Sequence, residues 1–170
     1  MTVMDEDLGL ARRTGETVEI VFRRRLRKPI DKVWAALTVP ERLTDWFAEA
    51  EIDRLEVGGT IRFYFTGADY RSLGHIVTLD PPRTIAWKWT EMDGSKESLV
   101  RFDLEPDGEG CRLTLTHSNL PIGEARDVLP GWHAHLEALE DGAEGVFTPW
   151  DRLIEREKRV NPLYESYLSA

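Results

Sequence analysis

The apolar stripe between Trp132 and Phe147 constrains this chain more than any other stretch. Trp132, Leu136, Leu139, Ala143 and Phe147 recur at i, i+4, i+7, i+11 and i+15, one face of an α-helix, with Glu137, Glu140, Asp141 and Glu144 mostly opposite and His133 pointing away. Such a stripe must bury its apolar side against something. What precedes it is a run of alternating segments, each with one apolar and one polar face. A one-sided antiparallel sheet followed by a single late helix predicts an α+β fold in which the sheet wraps the helix. Space left between the two would be a pocket.

The alternation can be followed strand by strand. Val18, Ile20 and Phe22, with Arg24 continuing the series, define a first strand over Thr17–Leu26. Pro29 and Pro40 each open a short helix, because a proline in the first turn has no N–H to leave unpaired. The first of these helices buries Ile30, Val33, Trp34 and Leu37, and the second, Glu41–Phe47, buries Leu43, Trp46 and Phe47. A short strand is expected over Ile52–Leu55. In Thr60–Thr66, Ile61, Phe63 and Phe65 oppose Arg62 and Tyr64. Thr84–Thr90 sets Ile85, Trp87 and Trp89 against Ala86 and Lys88. Ser98–Leu104 follows an Asp93-Gly94 turn and sets Val100, Phe102 and Leu104 against Arg101 and Asp103. Cys111–His117 puts Leu113, Leu115 and His117 on one face. Only Tyr70–Leu79 leaves its parity open, since His75, Val77 and Leu79 compete with Gly74, Ile76 and Thr78.

The long helix is expected to start at Pro130-Gly131, with Glu124–Leu129 as a separate turn or short helix. Residues 1–16 read as a flexible N-terminal arm, and residues 148–170 as a helical extension, helical until Asn161-Pro162 and packed on the outside of the same domain, Trp150 included.

A length of 170 residues fits one domain with a real core. The net charge of −9 argues against nucleic acid and anionic membranes as partners. No apolar run approaches the roughly 20 residues of a membrane span, and the first residues have no secretory apolar region. The single cysteine, Cys111, excludes an internal disulfide and fits a reducing, cytoplasmic setting.

Four strings together resemble a known family: PIDKVWAALTVPERLTDWF from Pro29, DPPRTIAWKW from Asp80, LTLTHSNLP from Leu113 and GWHAHLEAL from Gly131. They are similar to the START-like (SRPBCC) superfamily, in the group named after the activator of the Hsp90 ATPase, over roughly residues 17–145. The resemblance implies a helix-grip (START/Bet v 1-like) domain over residues 17–147. In that fold a curved antiparallel sheet encloses the long C-terminal helix and an apolar cavity, with two short helices after the first strand. Pro130 departs from the group's pattern and implies a kinked or shortened helix that widens one cavity mouth.

Aromatic side chains crowd the inward faces, and they are either packed core or the lining of a site for an apolar or aromatic molecule. The candidates for ligand binding are Trp46, Phe63, Phe65, Trp87, Trp89, Phe102, His117, Trp132 and His135. His133 and His135 lack the i, i+4 spacing of a helical metal pair, so neither a metal nor a cofactor is expected. No nucleophile elbow, phosphate loop or dinucleotide fingerprint occurs, and no catalytic residue is assigned. Small-molecule binding is the leading reading. A cyclase- or hydrolase-type enzyme using His117, His135 or His75 is the second. The third is a chaperone-partner or protein-interaction module, disfavoured because the sequence lacks the separate N-terminal domain of eukaryotic activators. A homodimer is the oligomer to test.

Overall fold

A computed structural model describes residues 7–169. Eight strands form one antiparallel sheet in the order β1-β2-β8-β7-β6-β5-β4-β3. They are β1 Leu10–Thr14, β2 Thr17–Leu26, β3 Glu49–Ile52, β4 Thr60–Phe65, β5 Tyr70–Asp80, β6 Thr84–Glu91, β7 Ser98–Asp107 and β8 Gly110–Pro121. Strands β3 to β8 run as a meander, and β2 closes against β8. Helices α1 Ile30–Thr38 and α2 Pro40–Trp46 fill the connection from β2 to β3. Helix α3, Ala125–Ala143, lies across the sheet, and α4, Trp150–Ser169, packs along α3.

The two-residue period sets which face is buried. Ile61, Phe63, Ile85, Trp87, Val100, Phe102, Leu113 and Leu115 are all buried, and Arg62, Lys88 and Arg101 are exposed. Trp132, Leu136, Leu139 and Ala143 of α3 join the same core. Leu136 is buried mid-helix, so Leu136→Ala should cost roughly 2–5 kcal/mol through lost burial and the cavity left behind. Urea melts that move by less than about 1 kcal/mol would place Leu136 outside the core. On β5 the inward residues are Ser72, Gly74 and Ile76, so His75 is exposed. A register shift between Ile76 and Thr78 then resets the phase, which is why neither parity fits the whole strand.

Several expectations are corrected. The arm is not free over its whole length: Leu10–Thr14 pairs with β2 through the loop Gly15-Glu16. Gly15 has φ of 63°, which suits the first position of such a hairpin loop. Strand β1 is an edge strand with mostly exposed side chains, so no alternation announces it. Residues 1–6 of the expected arm lie outside the described residues. The third strand is Glu49–Ile52 rather than Ile52–Leu55.

Helix α3 begins at Ala125 and continues through Pro130 to Ala143. Proline there gives up its own N–H bond and crowds the carbonyl of Arg126, yet Ala125, Leu129 and Pro130 are all buried, so packing outweighs the loss. The helix ends at Ala143, which leaves Phe147 58% exposed beyond it. Likewise α4 passes through Pro162, held by buried Val160 and Tyr164 on either side.

His133 does not point to solvent. It is buried beneath α4, with Nδ1 2.7 Å from the Tyr164 hydroxyl and Nε2 3.3 Å from Glu137. The Tyr164 oxygen also accepts the Gly9 N–H at 2.8 Å, so one side chain ties α4, α3 and the segment before β1 together.

Candidate functional site

At one end of the sheet–helix interface the packed core gives way to a recess of about 400 Å³. The wall is built of rings from five elements. Phe47 follows α2 and stacks on Trp132 of α3, with centroids 5.2 Å apart and planes 5° from parallel. Phe65 at the end of β4 stacks on Trp89 of β6 at 6.2 Å, and Trp89 stacks on His117 of β8 at 5.6 Å. His135, one turn beyond Trp132, meets Phe47 and Phe65 edge-on. A second, wider hollow of about 750 Å³ lies by α2 and the β3–β4–β5 edge, where Glu49, Glu51, Arg62 and Arg71 line it.

His117 is buried, and both ring nitrogens are taken. The Trp132 indole Nε1–H donates to His117 Nδ1 at 3.0 Å. An accepting Nδ1 places the proton of the neutral ring on Nε2, which therefore donates to Ser98 Oγ at 2.8 Å. This order of bonds is the reverse of a hydrolytic Ser–His pair, where Nε2 must accept the serine proton. His117 thus cannot activate Ser98, and it has no nitrogen left to orient a ligand. Ser98, whose own O–H remains free to donate, is the polar group it positions.

His135 differs. Its Nδ1–H donates to the Trp46 carbonyl at 3.0 Å, which leaves Nε2 as an acceptor with no partner among the described residues. Trp89 supplies the opposite character, because its buried indole N–H has no hydrogen-bond partner among the described residues. Thr90 Oγ1 beside it and Trp87 Nε1 in the core are likewise buried without a partner among the described residues. Buried donors are normally bonded, so Trp89 and Thr90, which line the recess, are candidates to meet an acceptor there.

Burial holds His117 down to about 3 and His135 down to about 4, the latter opposed by the Trp46 carbonyl. Both values lie below the ordinary 6.5, so the unfolded chain binds protons that the folded chain refuses. The stability they supply is complete above about pH 6.5 and is lost as pH falls toward the folded values. A displaced proton is worth about 1.4 kcal/mol per pH unit, so denaturant midpoints should drop measurably from neutral pH to about pH 5. A flat profile over that range would contradict neutral, buried imidazoles.

The mouth is acidic. Among the described residues, Glu91, Glu124, Asp127 and Glu157 line it together with one cation, Lys96. Tyr70 lies there too, its hydroxyl pushed up to about 12 by burial and by Glu91 and Glu124. Cys111 is remote from this recess in the core, its thiol pushed up to about 11 by burial, far from a reactive thiolate at neutral pH.

Five of the nine residues picked from sequence meet at the recess: Phe65, Trp89, His117, Trp132 and His135. The other four are core beneath it. Phe63, Trp87 and Phe102 are buried, and Trp46 is buried with its Nε1 bonded to the Ala36 carbonyl at 2.8 Å. His75 faces away, on the exposed side of β5. Sequence reasoning missed Phe47 as a wall residue, Ser98, Tyr70 and the acidic mouth. It also took Trp150 for an outer residue, whereas Trp150 lines the recess beside Gly67, where an added Cβ would sit 2.0 Å from its ring.

An open antiparallel sheet gripping a long helix, with two short helices after the opening strands, defines a helix-grip protein of the START-like (SRPBCC) type. A family model described as "Activator of Hsp90 ATPase homolog 1-like protein" matches residues 27–144, and the chain belongs to that family. No curated protein matches the sequence. Among solved structures, CalU16 from Micromonospora echinospora superposes with a TM-score of 0.73 at 24% identity, covering 94% of this chain and 95% of that one. A Bordetella parapertussis protein is 29% identical with a TM-score of 0.63, covering 97% and 94%. The Aha1 dimer from Colwellia psychrerythraea is 25% identical with a TM-score of 0.62, covering 74% and 96%. No helix among the described residues is long and apolar enough to cross a membrane.

Proposed function

We propose that this protein binds a small apolar or aromatic molecule in the recess between the sheet and α3. The observation that carries the reading is an aromatic recess of about 400 Å³ lined by Trp89, whose buried indole N–H has no partner among the described residues. That volume suits a compact molecule, and the chemistry is that of a binding site: apolar walls with a few fixed polar groups. The ligand body lies against Trp89 and Trp132, and a ligand acceptor meets Trp89 Nε1. Ser98 Oγ and His135 Nε2 offer a further donor and acceptor. Among the described residues, no group in the recess is arranged as an activated nucleophile, which favours binding over hydrolysis.

Native mass spectrometry of the purified protein should show a retained small molecule, or saturable uptake of an apolar fluorophore that quenches tryptophan emission. Trp89→Ala should weaken that uptake about tenfold, through the loss of ring stacking and one hydrogen bond. Val77→Ala, on the exposed side of β5, should leave it unchanged. Equal affinities for wild type and Trp89→Ala would refute the placement.

A further inference from the structure

Resting on the binding reading above, we infer that the ligand is a cation: an aromatic or apolar body carrying a protonated amine, held with its charge at the recess mouth. Aromatic faces and carboxylates are the two groups that stabilise an organic cation, and here they are adjacent. The recess is lined by the rings of Phe65, Trp89 and Trp132, and aromatic rings are electron-rich on their faces. Among the described residues, four carboxylates close the mouth against a single lysine, Lys96.

These carboxylates come from separate parts of the chain: Glu91 ends β6, Glu124 precedes α3, Asp127 lies in its first turn and Glu157 is on α4. The fold therefore gathers them, and adjacency in sequence does not account for the cluster. None of the four has a Lys, Arg or His nitrogen within the 4.0 Å of an ion pair among the described residues, although Arg126 and Lys158 are neighbours in sequence. Elsewhere the fold does pair such groups, as in Glu137 with Arg159 at 2.7 Å. The carboxyl of Glu157 is raised by burial and by the charge of Asp127, so the mouth's negative charges act on one another. A cation entering this mouth relieves that repulsion, and an anion adds to it. The Trp89 N–H and the Ser98 hydroxyl are donors for a neutral oxygen on the same body.

Three probes sharing one ring system separate the claims: 1-naphthylmethylamine, 1-naphthylmethanol and 1-naphthoic acid, which are cationic, neutral and anionic at neutral pH. Titration calorimetry at low salt should rank them amine, alcohol, acid, with the amine about five- to thirtyfold tighter than the alcohol. Added salt should shrink that ratio. The double variant Asp127→Asn with Glu157→Gln should erase most of it, with circular dichroism and melting curves reporting that the variant folds. If the variant melts early, Glu124→Gln, a single change at the partly exposed mouth, replaces it. An amine that binds no tighter than the alcohol, or a ratio indifferent to these substitutions in folded protein, overturns the cationic ligand and leaves the binding reading standing. Failure of all three probes to bind overturns both.

Discussion

Trp46→Ala is expected to lower stability by about 3–5 kcal/mol, the range for truncating a fully buried tryptophan. Trp46 ends α2, is 1% exposed, and packs edge-on against Phe102 and His135. Its Nε1–H donates to the Ala36 carbonyl at 2.8 Å, so truncation also orphans an acceptor in α1. On the other side, Gly142 of α3 leaves room for the ring: an added Cβ would lie 2.9 Å from Trp46 Cβ. One side chain therefore joins α1, α2, α3 and the sheet. Trp46→Phe should recover most of the packing but not the hydrogen bond. Urea denaturation of the three proteins separates the two contributions. A loss under about 1 kcal/mol for Trp46→Ala would mean that α2 docks loosely.

His117→Ala should be comparably costly, about 2–6 kcal/mol, because two buried groups each lose a partner worth about 1–3 kcal/mol. The Trp132 N–H and the Ser98 hydroxyl both depend on this imidazole. Water entering from the recess can satisfy Ser98 and bring the value to the low end. Because neither His117 nitrogen is free, a ligand with a polar head and an apolar analogue should be weakened to similar extents. A selective loss for the polar-headed ligand, with stability unchanged, would show that His117 contacts the ligand directly.

The sheet was legible wherever one face is buried and the other wet. Ile61, Phe63 and Phe65 against Arg62 and Tyr64 already state the register of β4, and β6, β7 and β8 read the same way. Legibility failed where that contrast is missing or shifts phase. Strand β1 has no buried face, and β5 changes phase at its bulge. Helix periodicity identified the sheet-facing stripe of α3, yet it could not show that α4 covers a second face. His133, Ala134 and Ala138 are buried, and His133 bonds Tyr164 of α4. The prolines misled for the same reason, since packing on both sides of Pro130 and Pro162 sustains helices that local propensity would end.

The recess was half legible. Trp89, Trp132, His117, Phe65 and His135 lie on faces that periodicity points inward, so their gathering follows from the fold. Periodicity cannot tell a wall from the core beneath it, and Trp46, Phe63, Trp87 and Phe102 carry the same inward signal while being filled over. Phe47 reaches the wall because the chain leaves the helix there, at φ −120° and ψ −75°, a conformation that no apolar spacing encodes. The acidic mouth assembles from β6, α3 and α4, and Glu91, Glu124 and Glu157 are too far apart in sequence to form a motif.

The six tryptophans allow occupancy of the recess to be read directly. Each indole N–H gives its own signal in an ¹⁵N–¹H correlation spectrum of ¹⁵N-tryptophan-labelled protein, assigned by single Trp→Phe variants. During titration with 1-naphthylmethanol or the molecule that copurifies, the Trp89 signal should move most, downfield as its N–H gains an acceptor. Trp132 and Trp150 should move less, and Trp34 and Trp46 should stay in place. A bound ligand that leaves Trp89 unmoved, or that moves Trp34 instead, would contradict a binding site in the recess between the sheet and α3.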